Sequence, residues 1–208
     1  MPDPIEILSG LTTIANRMTI LAVIWHVLVA AVLIGLLAGW RPSKRQGAFL
    51  SSFPLLSVSI LAWIYGNPFN GLMFLIFGIA LAVLGIRLPC RKIIPAPVWC
   101  RIVGLSLIAF GWFYPHFLAG GTWLKYLYAA PLGLIPCPTL SLVIGFALLA
   151  NGYSSRAWSV TLAVLGLFYG VFGTFRLGVK IDLTLITGAA ILLICALMIR
   201  NSPPSKVA

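Results

Sequence analysis

The strongest candidate for chemistry in this sequence is a cysteine between two prolines, Cys137, in the segment 134–139 (LIPCPT). Pro136 and Pro138 each remove a backbone donor, which predicts a kinked or broken helix whose freed carbonyl groups need new partners. A thiol beside freed carbonyl groups suits a soft cation such as Cu(I) or Zn²⁺. Thr139 joins Cys137 in the predicted substrate-binding set, although its hydroxyl could serve only to repair the broken backbone. The alternative is a packing kink in which Cys137 is a small apolar side chain.

The sequence contains only two histidines, His26 and His116. An ionisable residue inside an apolar segment is a functional hypothesis, so both are candidate metal ligands together with Cys137, and His26 is also a candidate substrate contact. The alternative for each is a neutral imidazole bonded to a neighbouring helix or placed at the membrane interface. The remaining cysteines have no metal-binding spacing and are interpreted as apolar side chains: Cys90, Cys100 and Cys195.

Acidic residues number only three, and two of them, Asp3 and Glu6, flank Pro4 in a pattern that predicts a helix start. The third, Asp182, lies at the start of the last apolar segment. It is interpreted either as a helix cap or ion-pair partner, or as a proton-handling carboxylate and substrate contact. Few groups could act as general acids or bases, so the sequence argues against an enzyme without excluding one.

Composition identifies the environment of these residues. Of 208 residues, 61% are hydrophobic and 8% are charged, and the mean hydropathy is +1.09. A soluble domain is about half apolar and about a quarter charged, and a disordered chain is less apolar still. The sequence therefore predicts an integral membrane protein that contacts the lipid bilayer. The net charge of +11 is then interpreted as an orientation signal, with no nucleic acid as partner.

The fold class predicted is an all-α, polytopic transmembrane helical bundle. Seven apolar segments approach the length of about 20 residues that a span requires: 19–39, 49–65, 69–86, 98–118, 129–150, 158–175 and 181–199. Six spans or a re-entrant segment are alternatives, because the hairpin 49–86 has short limbs. We expect an N-terminal interfacial amphipathic helix over 1–18, the bundle over 19–200 and a polar C-terminal tail over 201–208.

The basic residues indicate an N-out, C-in orientation in a plasma (inner) membrane, because cytoplasmic loops carry the excess of Lys and Arg. Four fall on the predicted outer side: Arg17, Lys125, Arg176 and Lys180. The other ten fall on the predicted inner side: Arg41, Lys44, Arg45, Arg87, Arg91, Lys92, Arg101, Arg156, Arg200 and Lys206.

Three stretches resemble an uncharacterised family, a domain of unknown function found in small bacterial multi-span membrane proteins. They are 113–115 (FYP), 133–139 (GLIPCPT) and 177–183 (LGVKIDL), followed by Gly188. The family carries a Pro-Cys-Pro-Thr motif and an Asp before its last span. The resemblance covers mainly residues 110–199, and it departs from the family in the outer loop that contains Gly120 and Trp123. It implies the architecture and draws attention to Cys137 and Asp182, but it supplies no activity.

Two functional classes follow. The first is a small transporter or binding protein for a soft metal ion (Cu or Zn) or a small solute, with its site at the proline-broken helix. The second is an accessory or assembly subunit of a membrane complex, without a cargo. In that case two GxxxG pairs, Gly35 with Gly39 and Gly166 with Gly170, would pack against a partner protein or another copy of the chain.

Overall fold

The computed structural model describes residues 3–120 and 122–198. Within these residues the chain is mainly helical and forms no strand, which confirms the all-α class. The α-helices, in chain order, are α1 Pro4–Arg17, α2 Thr19–Leu37, α3 Lys44–Leu50, α4 Phe53–Ile64, α5 Pro68–Ile86, α6 Val98–Phe113, α7 Tyr126–Ala129, α8 Pro136–Leu149, α9 Arg156–Val171 and α10 Leu183–Met198. The predicted C-terminal tail, 201–208, lies outside the described residues.

Five helical segments are long and apolar enough to cross a membrane: Thr19–Leu37, Lys44–Ile64, Pro68–Ile86, Arg156–Arg176 and Lys180–Met198. Two further apolar helices, α6 and α8, are shorter. Large apolar side chains are widely exposed on the long helices, including Ile20 at 79% and Leu37 at 88%. Such exposure suits contact with lipid, which supports a membrane-spanning bundle. The count of seven spans and the orientation stay predictions.

The N-terminal helix α1 starts as its sequence predicts. Asp3 is the cap, and its carboxylate accepts a hydrogen bond of 3.1 Å from the backbone N–H of Ile5. Pro4 occupies the first helical position, where its missing N–H costs nothing. Leu11, Ile14 and other apolar residues of α1 are buried against the end of the bundle. The helix therefore lies on protein as well as at the predicted interface.

The second span begins earlier than predicted, at Lys44 rather than at residue 49. Ser43 and Gln46 form a reciprocal capping box, which satisfies free donors at the helix start and extends the helix toward the N-terminus. The span then breaks between α3 and α4 at Ser51 and Ser52. Two basic residues, Lys44 and Arg45, consequently lie in the first helical turn and not in a loop.

Helix α8 is the centre of the bundle, since all but three of its 14 residues are buried. It approaches α6 closely through facing glycines: a Cβ on Gly104 would lie 2.7 Å from the Gly145 carbonyl oxygen. Neighbouring helices surround α8, so it has little lipid-facing surface. It is shorter than a typical span because residues 130–135 before it are irregular.

The glycine pairs do not form free interaction faces. Gly39 lies beyond the end of α2 and has a φ of +97°, so the first pair is not a helical GxxxG motif. Gly166 packs against Ile144 of α8, and Gly170 packs against Ile186 of α10. The second pair is therefore occupied within the chain, because small residues there allow α9 to approach its own neighbours.

Candidate functional site

The proline-rich segment breaks the fifth apolar segment completely rather than kinking it. Helix α7 ends at Ala129, and residues 130–135 are irregular and buried. Pro136 and Pro138 then fall in the first turn of α8, where backbone N–H groups have no intrahelical partner. The sequence predicts a kinked or broken helix here, and the structure shows a break: the two prolines start α8, where they remove none of its hydrogen bonds.

Thr139 closes this broken segment. Its hydroxyl donates to the Ile135 carbonyl oxygen at 2.7 Å and accepts from the Gly133 N–H at 3.0 Å. Gly133 has a φ of +71°, which the turn requires and which a side chain rarely adopts. Both hydrogen bonds are local, so Thr139 repairs the backbone, as one reading of the sequence predicts. The structure does not place its hydroxyl against the cavity described below.

The sequence suggested that Asp182 could cap a helix or pair with a cation, but the structure buries this side chain. Asp182 ends a short 3₁₀ turn, Lys180–Asp182, and is 1% exposed, whereas Arg176 and Lys180 are exposed. Its Oδ1 accepts a hydrogen bond of 2.7 Å from the Tyr114 hydroxyl. The carboxylate therefore faces the bundle interior, and a neutral side chain is its hydrogen-bond partner.

Cys137, in the first turn of α8, lies close to the Asp182 carboxylate. The two side chains line the same cavity and lie within interaction range of each other. Tyr114, at the end of α6, also interacts with Cys137. The structure thus brings together the two residues that the sequence singles out most strongly. It adds Tyr114, which the sequence marks only as part of the stretch 113–115 in the family resemblance.

The floor of the cavity is a π-helical segment, Phe172–Arg176, which continues from α9. Gly173 lies directly beneath Asp182, and a Cβ at this position would overlap with Oδ2 of the carboxylate. Insertions of this kind into an α-helix occur frequently at functional sites. The absence of a side chain at Gly173 is what lets the carboxylate lie this deep.

A second polar pair lies on the same cavity. The Tyr169 hydroxyl donates to the Asn70 side-chain oxygen at 2.9 Å, and both residues are buried and line the cavity. Sequence reasoning missed both. Asn70 is a polar residue at the start of an apolar helix, α5, and that alone could have marked it.

The cavity is small and covered. Its volume is about 20 Å³, enough for a single water molecule. Ile7 and Leu11 of α1 lie over it. Helix α1 is held in place by Asn16, whose amide donates to the Phe117 carbonyl oxygen at 2.8 Å and accepts from the Ala119 N–H at 2.9 Å. We call this cavity, with Asn70, Cys137, Tyr169, Asp182 and the adjoining Tyr114, the polar chamber.

The two histidines lie outside the polar chamber. His26, on α2, is 3% exposed, and its ring nitrogens lie 2.8 Å from the Ala22 carbonyl oxygen and 3.1 Å from that of Trp112. His116 lies in the exposed segment after α6, and partial burial there lowers its pKa. The structure therefore does not gather Cys137, His26 and His116. Across residues 3–120 and 122–198, no three His, Cys, Asp or Glu side chains form a group that could hold a metal ion.

Comparisons with protein-family models, with curated protein sequences and with solved structures find no match for this chain. The resemblance to the Pro-Cys-Pro-Thr family therefore stays an expectation of the sequence. The residues of the polar chamber are therefore the basis for a proposed function.

Proposed function

We propose that this chain is a small membrane transporter or binding protein, and that the polar chamber is its cargo site. The observation that carries the proposal is Asp182, a carboxylate 1% exposed that opens onto a cavity within a bundle of membrane-spanning length. A buried carboxylate is costly in an apolar bundle and persists mainly where it serves a pathway or a proton relay. Cys137, Tyr114 and the Asn70–Tyr169 pair supply the other polar atoms.

The chamber favours a small solute over a soft metal ion as cargo. Cys137 is the one thiol in it, and neither His26 nor His116 reaches it. A cavity of about 20 Å³ admits only a species the size of water, such as a hydrated proton. The carboxylate of Asp182 can bind and release a proton, and the Tyr114 hydroxyl, 2.7 Å away, stabilises its ionised form. A proton is therefore the cargo that we propose.

Helix α1 controls access in this proposal. It covers the chamber with Ile7 and Leu11, and the hydrogen bonds of Asn16 hold it to the segment after α6. Residues near this end include the four cations of the predicted outer side. An N-out, C-in orientation in the plasma (inner) membrane would open the chamber toward the outside once α1 moves away.

Proton flux into vesicles tests the proposal. The purified protein is reconstituted into liposomes that contain a pH-sensitive dye, and a potassium diffusion potential drives proton entry. We expect flux above that of empty liposomes, and a loss of at least about tenfold in Asp182→Asn, because the amide keeps the shape but cannot exchange a proton.

Glu6→Gln is the matched control, since it neutralises an exposed carboxylate on α1 and leaves the chamber intact. Wild-type flux equal to that of empty liposomes would overturn proton transport. Equal flux in wild type and Asp182→Asn would remove Asp182 from the pathway. The fraction of each variant that elutes as a single folded species by size exclusion shows that a lost signal is not lost protein.

A further inference from the structure

Two cysteines far apart in the sequence meet inside the bundle. Cys100 is the third residue of α6, Cys195 lies near the other end of the chain on α10, and their Sγ atoms are 3.5 Å apart. Cys100 is 3% exposed and Cys195 is half-buried, so the pair lies at the contact between α6 and α10. Their sequence separation of 95 residues left no spacing motif by which the sequence could show the contact.

This thiol pair is remote from the polar chamber. Tyr114 marks the chamber end of α6, and Cys100 lies 14 residues before it. At 1.5 Å per residue, the two ends of α6 are about 20 Å apart. Asp182 and Cys195 are likewise near opposite ends of α10. Whatever binds the thiol pair therefore does not occupy the chamber.

We propose that Cys100 and Cys195 form a binding site for a soft monovalent metal ion, Cu(I). A metal–thiolate bond of about 2.3 Å places two sulfurs about 4.6 Å apart when a two-coordinate Cu(I) is linear, and about 3.8 Å apart when the angle at the metal is bent to the tetrahedral value. From the observed 3.5 Å, the bent arrangement needs a shift of about 0.3 Å and the linear one a shift of about 1.1 Å. A disulfide would require the sulfurs to approach to about 2.05 Å, a change of about 1.5 Å between packed helices.

The ligand set selects the metal. The described residues supply two thiols and no third His, Cys, Asp or Glu close enough to hold a metal ion with them. Structural Zn²⁺ sites use four protein ligands, whereas Cu(I) is favoured by thiolates and accepts low coordination numbers. Binding replaces two thiol protons by one Cu(I) ion, and these protons are released to solvent.

The test is a Cu(I) titration of the full chain in detergent, kept reduced, in competition with a chromogenic Cu(I) chelator. We expect wild type to hold about one Cu(I) per chain, and Cys100→Ser and Cys195→Ser each to bind at least about tenfold more weakly, since a hydroxyl is a poor ligand for a soft ion. Cys90→Ser is the matched control, because Cys90 is exposed and lies apart from the pair.

X-ray absorption of the loaded wild type gives a second readout that does not depend on any variant, and we expect sulfur in the first shell at about 2.3 Å. Unchanged Cu(I) binding in both serine variants would overturn the proposal. So would binding that disappears only in Cys137→Ala, which would place the metal in the chamber. A Cys100–Cys195 disulfide in the purified protein, with no Cu(I) uptake after reduction, would also overturn it. Proton flux is also measured on Cys100→Ser. Unchanged flux in this variant would show that Cu(I) binding and the polar chamber are tested independently.

Discussion

Two ionisable side chains, His26 and Asp182, are buried among the apolar helices, and their surroundings differ in kind. Both nitrogens of His26 face backbone carbonyl oxygens, and its ring packs edge-on against Trp112 with centroids 4.8 Å apart. Asp182 faces the side chains of Tyr114 and Cys137 and a cavity. His26 joins two helices, whereas Asp182 lines a small internal cavity.

This difference is why we propose a functional role for Asp182 and a structural one for His26. The two ring nitrogens of His26 contact backbone carbonyl oxygens, one on α2 and one on α6. These partners are backbone carbonyl groups, which are fixed in their helices. The partners of Asp182 are side chains that line or adjoin the cavity, and the Tyr114 hydroxyl can rotate when the carboxyl group binds or releases a proton.

Gly173→Ala should have the largest effect, because its Cβ would overlap with the Asp182 carboxylate. We expect a loss of about 1–3 kcal/mol in the free energy of unfolding, as for other overpacked sites, together with a loss of proton flux. Chemical unfolding in mixed detergent measures the first, and the liposome assay measures the second. Gly10→Ala is the control, since nothing lies near its Cβ and alanine favours the helix. A Gly173→Ala protein with normal stability and flux would contradict the position given to Asp182.

His26→Leu should lower the free energy of unfolding by about 1 kcal/mol, the net value of a typical hydrogen bond, because the Trp112 carbonyl oxygen loses a partner. Proton flux should not change, since His26 does not line the chamber. The same two assays measure both quantities. A loss of proton flux comparable to that of Asp182→Asn would show that the two buried groups belong to one pathway. The distinction between a structural His26 and a functional Asp182 would then be wrong.

Asn16→Ala should weaken the hold on α1 with little effect on the rest of the bundle. The two hydrogen bonds of Asn16 are only partly buried, so we expect about 0.5–1 kcal/mol of lost stability. Because α1 covers the chamber, labelling of Cys137 by a small maleimide should become several-fold faster, as measured by peptide mass spectrometry. Thr13→Ala is the matched control on α1, where Thr13 bonds only within the helix. Equal labelling rates in the two variants would show that α1 does not gate the chamber.

His116 should give the smallest effect. Partial burial lowers its pKa below the ordinary value of 6.5, so the unfolded chain binds more protons than the folded chain just below that pH. Stability should therefore rise slightly as the pH increases through this window and fall as it decreases. Histidine NMR resonances, assigned with His116→Gln, measure the pKa directly. A pKa at or above 6.5 would contradict the burial of this ring.

Much of the fold follows from the sequence because it depends on local pattern. Each of the seven apolar segments contains a helix, and the cap at Asp3 is confirmed. The predicted helix boundaries differ from the structure where capping residues and prolines determine the start of a helix. The capping box at Ser43 extends the second span toward the N-terminus, and the prolines at 136 and 138, which were predicted to kink or break a helix, stand at the start of one.

The site was only half predictable. Cys137 and Asp182 stand out because a proline-flanked thiol and a lone carboxylate are unusual in an apolar chain. Tyr114, Asn70 and Tyr169 do not stand out, because tyrosine is common at membrane interfaces and one amide carries little signal. Which of these residues meet depends on contacts across 68 residues for Tyr114 with Asp182, and across 99 for Asn70 with Tyr169.

The sequence by itself determined that this chain is an apolar, all-helical protein and where its helices lie, since composition and hydrophobic periodicity act locally. Only the tertiary structure decided which polar side chains share a space. It gathered five of them into the polar chamber, left both histidines outside it, and brought two distant cysteines to 3.5 Å. The reason is physical. Buried polar groups in an apolar bundle are stabilised by hydrogen bonds to one another across helices. Helix packing determines which of them come close enough, and no local sequence pattern encodes that packing.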